Sequence, residues 1–173
     1  MVCGPSGPHR PMYDSVVKRA AKMTTGNHNS NAIIEATRSV YDAAIIQFPK
    51  ILDDRGNLTF IEAMRHVPFQ ISRVYWIYDV PGGESRGSHA YHDLQEVIIA
   101  LSGSFDVFLD DGLAQKTVTL SRAYYGLYVP NMIWRRMQQF STNSVALVMA
   151  SLPYDQVDYI RDYVEFKRMN KLP

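Results

Sequence analysis

The chain has 173 residues, 46% of them hydrophobic, and a formal net charge of +1 at pH 7. This length favours one domain with a sizeable core, and the small charge supplies no field for nucleic acid or an anionic membrane. The one cysteine, Cys3, excludes a disulfide framework within the chain and fits a reducing compartment. Because we find neither a bilayer-spanning apolar run nor a secretory signal, we expect a cytoplasmic protein.

Residues 1–40 are expected to be an N-terminal extension that is partly disordered or forms a short helix. The first part is rich in Gly, Pro, Ser and Asn, and only 13–23 has a helical pattern. The range 32–44 is compatible with a second short helix or a lead-in. The folded domain is predicted over 41–173.

From Ile45 onward the chain changes to short β-favouring runs separated by turns, which is typical of a sandwich or barrel. The sequence Asp110-Asp111-Gly112 is the best hairpin signal. A change to three-four spacing predicts a C-terminal helix over 154–169, with Asp155 as its cap. The strands are predicted at 45–52, 58–63, 71–80, 96–102, 104–109, 117–120, 124–129, 133–140 and 145–150.

The centre of the chain carries a spaced motif: Gly83, His89-Ala90-Tyr91, Glu96 and Gly103. It resembles the first motif of the cupins, a family of jelly-roll barrels, with Tyr91 in place of the second metal-binding His. In the second cupin motif, five residues after Pro130, Arg135 replaces the remaining His ligand. Since His89 and Glu96 alone are too few for a first-row metal, we predict an all-β cupin jelly roll without metal or other cofactor.

The resemblance extends to the WxcM-like family, which contains the dTDP-4-oxo-6-deoxyglucose 3,4-ketoisomerases. It covers about residues 41–170 and rests on the strings at 54–58, 71–75, 86–90, 102–104, 109–112, 126–130 and 158–162. It implies a homodimer, commonly with exchanged N-terminal strands, that binds a dTDP-linked 4-keto-6-deoxy sugar. The implied reaction moves the carbonyl from C4 to C3 through an enediol, without metal, for the synthesis of deoxyaminosugars of cell-surface polysaccharides.

The candidate site residues follow from this resemblance together with their chemistry. His89 matches the family's first catalytic His and is the predicted base, with Tyr91 as its partner. The phenol, with a reference pKa near 10, suits proton donation better than proton abstraction. Guanidinium forks match phosphate oxygens. The predicted substrate contacts are therefore Arg86, Arg73, Arg135, Arg55 and Tyr75.

Other interpretations of these residues stay open at this point. His89 and Tyr91 could fill the barrel, Arg55 could only close its turn, and Glu96 reads as a buried hydrogen-bond partner. Arg73 and Arg86 could pair with Asp79 or Glu84, and Arg136 offers the opposite face to Arg135. Of Tyr75, Trp76 and Tyr78, one is expected to face the ligand. Strand alternation puts His92 on the face opposite His89 and Tyr91.

Two alternative functions remain from the sequence. A protein that only binds a sugar nucleotide would explain the loss of the second His. An epimerase of the same 4-keto sugars would suit a His and Tyr pair, although the strings typical of that family are absent. The combination of Arg55 and Arg135 leaves the C4 epimer of the product unassigned.

Overall fold

The computed structural model describes residues 38–170, so the helix predicted over 13–23 lies outside them. Within the described range no helix is long and apolar enough to cross a membrane. The helices there are two 3-10 turns, Val40–Asp42 and Gln156–Asp158, and one α-helix, α1 (Tyr163–Met169). The strands are β1 (Ala44–Gln47), β2 (Lys50–Ile51), β3 (Leu58–Thr59), β4 (Arg73–Ile77), β5 (Arg86–Tyr91), β6 (Glu96–Ser102), β7 (Phe105–Asp110), β8 (Gln115–Leu120), β9 (Tyr125–Val129), β10 (Trp134–Gln138), β11 (Val145–Ala150) and β12 (Tyr159–Ile160).

Two five-stranded antiparallel sheets form the domain. The first has the order β1-β9-β6-β11-β4 and the second β12-β5-β10-β7-β8, while β2 and β3 make a separate ribbon. The main core contains inward side chains of both sheets, such as Ile98 and Val148 from the first and Val107 and Met137 from the second. The all-β architecture with a C-terminal helix is confirmed.

Several strand predictions agree closely with the structure. β6 and β11 have the predicted bounds, because each is a continuous apolar run in the middle of its sheet. The hairpin at Asp110-Asp111-Gly112 joins β7 to β8 as predicted. The Asp111 carboxylate accepts from the backbone of Val40 at 2.9 Å and Ala114 at 2.7 Å, which ties this turn to the start of the domain.

Four strand predictions were too long: those over 71–80 and 133–140 are shortened to β4 and β10, and two others change more. The strand expected over 45–52 is split into β1 and β2 because Pro49, which has no N–H to donate, interrupts it. The strand expected over 58–63 is reduced to the short β3, which pairs only with β2. The resulting ribbon belongs to neither large sheet.

The predicted helix over 154–169 was wrong in its first half. Asp155 does cap a helix, accepting from the backbone of Val157 at 2.9 Å, but it is only a 3-10 turn. The chain then forms β12 against β5, and the α-helix starts after Asp162, whose carboxylate accepts from Val164 at 2.7 Å and Glu165 at 3.0 Å. Pairing with a distant strand therefore overrides the local helical spacing.

Candidate active site

Side chains from five strands of both sheets meet in one connected cluster. Alternation along the strands turns them inward, while Trp76 on β4 and Tyr78 after it are exposed. His92 after β5 is also exposed, on the face opposite His89 and Tyr91 as predicted. Five of the inward residues were predicted from the sequence; Glu96 was expected only as a buried partner, and Tyr159 was not expected. The cluster comprises Arg73, Tyr75, His89, Tyr91, Glu96, Arg135 and Tyr159.

The buried pair Arg135 and Glu96 forms the base of the cluster. Arg135 Nε donates to Glu96 Oε1 at 2.6 Å and Nη2 donates to Oε2 at 2.9 Å, with both side chains 1% exposed. Burial alone would lower the pKa of Arg135, but the carboxylate of Glu96 holds that pKa above its usual value. In this bidentate pair each buried charge is balanced by the opposite charge of its partner, which offsets the cost of removing both from water.

The same guanidinium reaches two phenols. Its Nη2 donates to the hydroxyl oxygen of Tyr75 at 3.1 Å and lies 3.4 Å from that of Tyr91. Burial raises the pKa of Tyr91, the negative charge of Glu96 raises it further, and Arg135 opposes this only in part. Tyr91 is therefore a protonated phenol at neutral pH, with its hydroxyl held by a fixed cation.

A glycine makes room for Arg135. The pairing of β5 with β10 shifts register between His89↔Arg135 and Arg86↔Met137, which inserts an extra β5 residue as a bulge. Gly87 lies in this bulge with φ of 71°, and its carbonyl accepts from Arg135 Nη1 at 2.8 Å. A Cβ at this position would collide with Nη1. The bulge thus needs glycine for both its backbone angle and its space.

His89 is a buried imidazole between two phenol rings. Its ring centroid lies 4.8 Å from that of Tyr91 and 4.9 Å from that of Tyr159. Its Nε2 is buried and has no hydrogen-bond partner among residues 38–170. Burial, followed by the positive charges of Arg135, Arg161 and Arg73, lowers the pKa of His89 to about 2. The imidazole is therefore neutral at physiological pH, with one nitrogen lacking a protein partner.

Tyr159 completes the site from the C-terminal segment. Its backbone pairs with Tyr91, and its ring centroid lies 4.7 Å from that of Tyr91. The neighbouring Asp158 carboxylate accepts from the backbone of Asp93 at 2.8 Å and Leu94 at 3.2 Å, which anchors β12 on the turn between β5 and β6. Tyr159 was missed because a helix was predicted over this segment. The two consecutive β-favouring residues Tyr159 and Ile160 were the sequence signal that could have indicated a strand.

The remaining predicted residues differ in their placement. Arg73 is half-buried and donates from Nη2 to the hydroxyl of Tyr159 at 3.3 Å. Arg86 is exposed at the start of β5, and within the described range neither it nor Arg73 pairs with Asp79 or Glu84. Arg55 pairs with Asp53 at 2.8 Å inside its own turn, with 90% of its side chain exposed. The structure does not join Arg55 to the cluster, so its contact with a substrate stays a prediction.

The side chains of the cluster are not the set of ligands that a metal centre uses. In the part of the chain that the structure describes, no three His, Cys, Asp or Glu side chains are grouped so as to hold a metal ion. Glu96, the residue at the cupin metal-ligand position, is instead bonded twice to Arg135. The chemistry available to these side chains is proton transfer by an imidazole and a phenol.

Comparison with known proteins gives consistent matches. A family model described as FdtA, WxcM-like, C-terminal, matches residues 41–171. The TDP-4-oxo-6-deoxy-alpha-D-glucose-3,4-oxoisomerase of Aneurinibacillus thermoaerophilus is 46% identical over 124 residues, covering 72% of this chain and 89% of that protein.

Solved structures agree with this match. A mutant of the 3,4-ketoisomerase QdtA from Thermoanaerobacterium thermosaccharolyticum, in complex with TDP-4-keto-6-deoxyglucose, is 37% identical with a TM-score of 0.74, covering 76% of this chain and 96% of its own. The TDP-quinovose 3,4-ketoisomerase WlaRB from Campylobacter jejuni is 41% identical with a TM-score of 0.71, covering 75% and 99%. These likenesses confirm the predicted jelly-roll fold class.

Proposed function

The chain belongs to the WxcM-like, C-terminal (FdtA) family, as its sequence strings predicted, and we propose that it is a metal-independent TDP-4-keto-6-deoxyglucose 3,4-ketoisomerase. The observation that carries this proposal is the buried, unpartnered Nε2 of His89, whose ring packs against that of Tyr91, together with the contact of Arg135 with the Tyr91 hydroxyl. A neutral base next to a protonated acid is the arrangement that an enediol mechanism requires.

His89 is the proposed base. The C3 proton of the substrate is acidic because the adjacent C4 carbonyl stabilises the resulting carbanion as an enolate. Since burial and the nearby cations lower the pKa of His89, its nitrogen is free of a proton before substrate arrives. The same low pKa makes the imidazole a weak base until the substrate changes its surroundings.

Tyr91 is the proposed acid. As the C3 proton leaves, negative charge develops on the C4 oxygen, and a fixed donor there lowers the barrier. The raised pKa of Tyr91 keeps its proton available, and Arg135 stabilises the phenolate that donation would leave. In this role Arg135 is a positioning residue that acts through Tyr91, because its own donors already bond Glu96, Tyr75 and Gly87.

Over one turnover His89 and Tyr91 both return to their starting protonation states. His89 takes the proton from C3, the C3–C4 bond becomes double, and the C4 oxygen receives the proton of Tyr91 to give the enediol. The O3 hydroxyl then returns a proton to Tyr91 while protonated His89 delivers its proton to C4. The carbonyl ends at C3, no redox partner is used, and the product is an isomer of the substrate.

Arg73, Arg86 and Tyr75 are the proposed contacts to the rest of the substrate. Arg73 and Tyr75 line the inner face of β4, and the exposed Arg86 stands at the start of β5. Guanidinium groups at these places suit the phosphates of a nucleotide sugar. The enzyme would act in the cytoplasm, since its only cysteine, Cys3, fits a reducing compartment.

A homodimer is the proposed assembly. The outer side of the first sheet and the β2–β3 ribbon border an apolar groove of about 780 Å³, and Val74 and Trp76 on this side are 48% and 59% exposed. Exposed apolar surface of this kind marks an association face. Exchange of β1 between subunits would put a partner's strand at the edge of β9, where β1 of the same chain now pairs.

Proton NMR of purified protein with TDP-4-keto-6-deoxyglucose tests the activity. The expected result is conversion to the 3-keto sugar, unchanged by a chelator, and the C4 coupling of the product would give its epimer. In D2O, exchange of the proton at C5 as well as at C3 would instead indicate an epimerase. Binding of the nucleotide sugar without conversion would indicate a protein that only binds it, and either result would overturn the proposal.

A further inference from the structure

Three aromatic rings pack against one another at the site, those of His89, Tyr91 and Tyr159. The centroid distances are 4.8 Å from His89 to Tyr91, 4.9 Å from His89 to Tyr159 and 4.7 Å between the two tyrosines. Tyr91 and Tyr159 are also paired directly opposite each other in β5 and β12, which keeps their side chains adjacent. The proposed base is thus flanked by two phenols in contact, of which the proposed reaction uses only Tyr91.

Each of these two phenols has a guanidinium group at its oxygen. Arg135 Nη2 lies 3.4 Å from the hydroxyl of Tyr91, and Arg73 Nη2 donates to the hydroxyl of Tyr159 at 3.3 Å. A cation at this distance stabilises the phenolate that remains when a phenol gives up its proton. Both tyrosines therefore have the surroundings that proton transfer requires.

The protons of both hydroxyls are available for transfer. Tyr75, the third phenol of the cluster, donates to Glu96 Oε2 at 3.5 Å, so a carboxylate already takes its proton. Among residues 38–170, no carboxylate or carbonyl accepts from the hydroxyl of Tyr91 or of Tyr159. A phenol whose proton has no such acceptor can give it to a ligand or to another hydroxyl.

The two phenols lie in series between the interior of the barrel and the surface. Tyr91 is 3% exposed, while Tyr159 is partly exposed and packs against Tyr154, which is 61% exposed. Burial is the largest cause of the raised pKa of Tyr91, and an interaction with the side chain of Tyr159 raises that pKa further. This interaction provides a path along which a proton can pass from one hydroxyl to the other.

We propose that Tyr159 is a second acid–base catalyst, which takes the O3 proton of the substrate and passes its own proton to Tyr91. This inference rests on the proposed function, and it assigns a separate phenol to each of the two reacting oxygens. Once Tyr91 has protonated the C4 oxygen, it is a phenolate. The O3–H bond then breaks towards Tyr159, the hydroxyl proton of Tyr159 moves to Tyr91, and protonated His89 delivers its proton to C4. The carbonyl forms at C3, and all three side chains regain their starting protonation states.

A second phenol is useful because the two reacting oxygens are on neighbouring carbons. The hydroxyl of Tyr91 is held by packing on His89 and by Arg135, whose guanidinium is itself fixed by Glu96. Proton transfer needs hydrogen-bond distance, so a hydroxyl fixed in this way suits one of the two oxygens better than both. Tyr159, on the other side of the imidazole, supplies a hydroxyl for the second oxygen.

Proton NMR of TDP-4-keto-6-deoxyglucose in D2O, followed at initial rates, tests this role. Tyr159→Phe keeps the ring against His89 and removes only the hydroxyl, so formation of the 3-keto product should fall about tenfold to a hundredfold. Removal of the C3 proton by His89 precedes the step of Tyr159 and should persist. Enediol that cannot go forward then takes deuterium back at C3, and the ratio of C3 exchange to product should rise about tenfold over wild type.

Two further variants complete the test. Tyr154→Phe is the matched control, because it removes the hydroxyl of an exposed neighbouring phenol, and its rate and ratio should equal those of wild type. Tyr91→Phe should lower exchange and product together, since Tyr91 acts in the first step. Thermal unfolding of each variant checks that the fold is kept.

The outcomes separate this inference from the proposed function. If wild type forms product and Tyr159→Phe equals it in rate and ratio, the role of Tyr159 is wrong while the isomerase activity stands. If Tyr159→Phe lowers exchange and product equally, its hydroxyl only supports the structure, for instance by holding Arg73, and the role is again wrong. The same conclusion follows if Tyr154→Phe has the effect expected of Tyr159→Phe. If wild type forms no product, the proposed function fails, and this inference fails with it.

Discussion

Arg135 Nε donates to Glu96 Oε1 at 2.6 Å across the space between the two sheets, and the same guanidinium lies 3.4 Å from the hydroxyl of Tyr91. The two residues occupy cupin ligand positions, yet here they form an ion pair. Because the pair is buried, it holds the site together only while both partners are present.

Breaking this pair should destabilise the fold. Arg135→Met leaves Glu96 buried without a counter-charge, so the free energy of unfolding should fall by about 3–5 kcal/mol. The double variant Arg135→Met/Glu96→Leu removes both charges and should recover most of that loss. Urea unfolding of the three proteins measures this. A double variant less stable than Arg135→Met would contradict the interpretation of Glu96 as the source of the loss.

Tyr91→Phe tests the proposed acid. The phenyl ring keeps the packing against His89 but removes the only proton that this position can donate, so kcat should fall about a hundredfold to a thousandfold with nearly unchanged substrate affinity. Tyr78→Phe is the control, since Tyr78 is 59% exposed after β4. Equal kcat values for Tyr91→Phe and wild type would rule out Tyr91 as the donor.

Gly87→Ala should damage the site through Arg135. A Cβ at Gly87 collides with Arg135 Nη1, and the φ of 71° is strained for alanine, so a loss of about 1–3 kcal/mol in unfolding free energy is expected together with lower kcat. Gly82→Ala is the matched control, because a Cβ added at Gly82 would have no atom within 4 Å. Thermal unfolding and turnover are the measurements. If both variants behave alike, the bulge does not require glycine.

The buried imidazole predicts a pH dependence of stability. The pKa of His89 falls from 6.5 to about 2 on folding, so below pH 6.5 the unfolded chain binds a proton that the folded chain excludes. Stability from this residue is complete above pH 6.5 and declines as pH falls towards 2. At pH 5 the loss is about 2 kcal/mol.

His89→Gln should lack this contribution. Urea unfolding at pH 7.5 and pH 5 for wild type and His89→Gln isolates it, because other titrating groups are common to both proteins. The decrease in unfolding free energy between the two pH values should be smaller in the variant. Identical decreases would mean that His89 is protonated in the folded state at pH 5.

Much of the fold could be predicted from local sequence. The strands at Glu96–Ser102 and Val145–Ala150 are continuous apolar runs, and alternation correctly put His92 on the exposed face. The same rule placed His89 and Tyr91 on one face. These features could be predicted because the alternation of side chains along a strand depends only on residues close together in the sequence.

Features that depend on distant pairing could not be predicted. Tyr159 is in the site because β12 pairs with β5, whereas its own segment has helix-like spacing. The bulge at Gly87 makes room for the side chain of Arg135, which comes from a strand distant in the sequence. The sequence named Arg135 as a ligand contact, but only the structure shows that Glu96, Tyr75 and Gly87 already occupy its donors.

The central claim is that His89 moves the proton between C3 and C4. The most direct measurement is NMR of TDP-4-keto-6-deoxyglucose incubated in D2O with wild type, His89→Gln, and the control His92→Gln, which alters an exposed imidazole on the opposite face. Wild type and His92→Gln should lose the C3 proton signal and form the 3-keto product, with protium at C4 wherever His89 delivers the proton before it exchanges with solvent, while His89→Gln should bind TDP but form no product and exchange nothing. Exchange at C3 by His89→Gln at the wild-type rate would contradict the account.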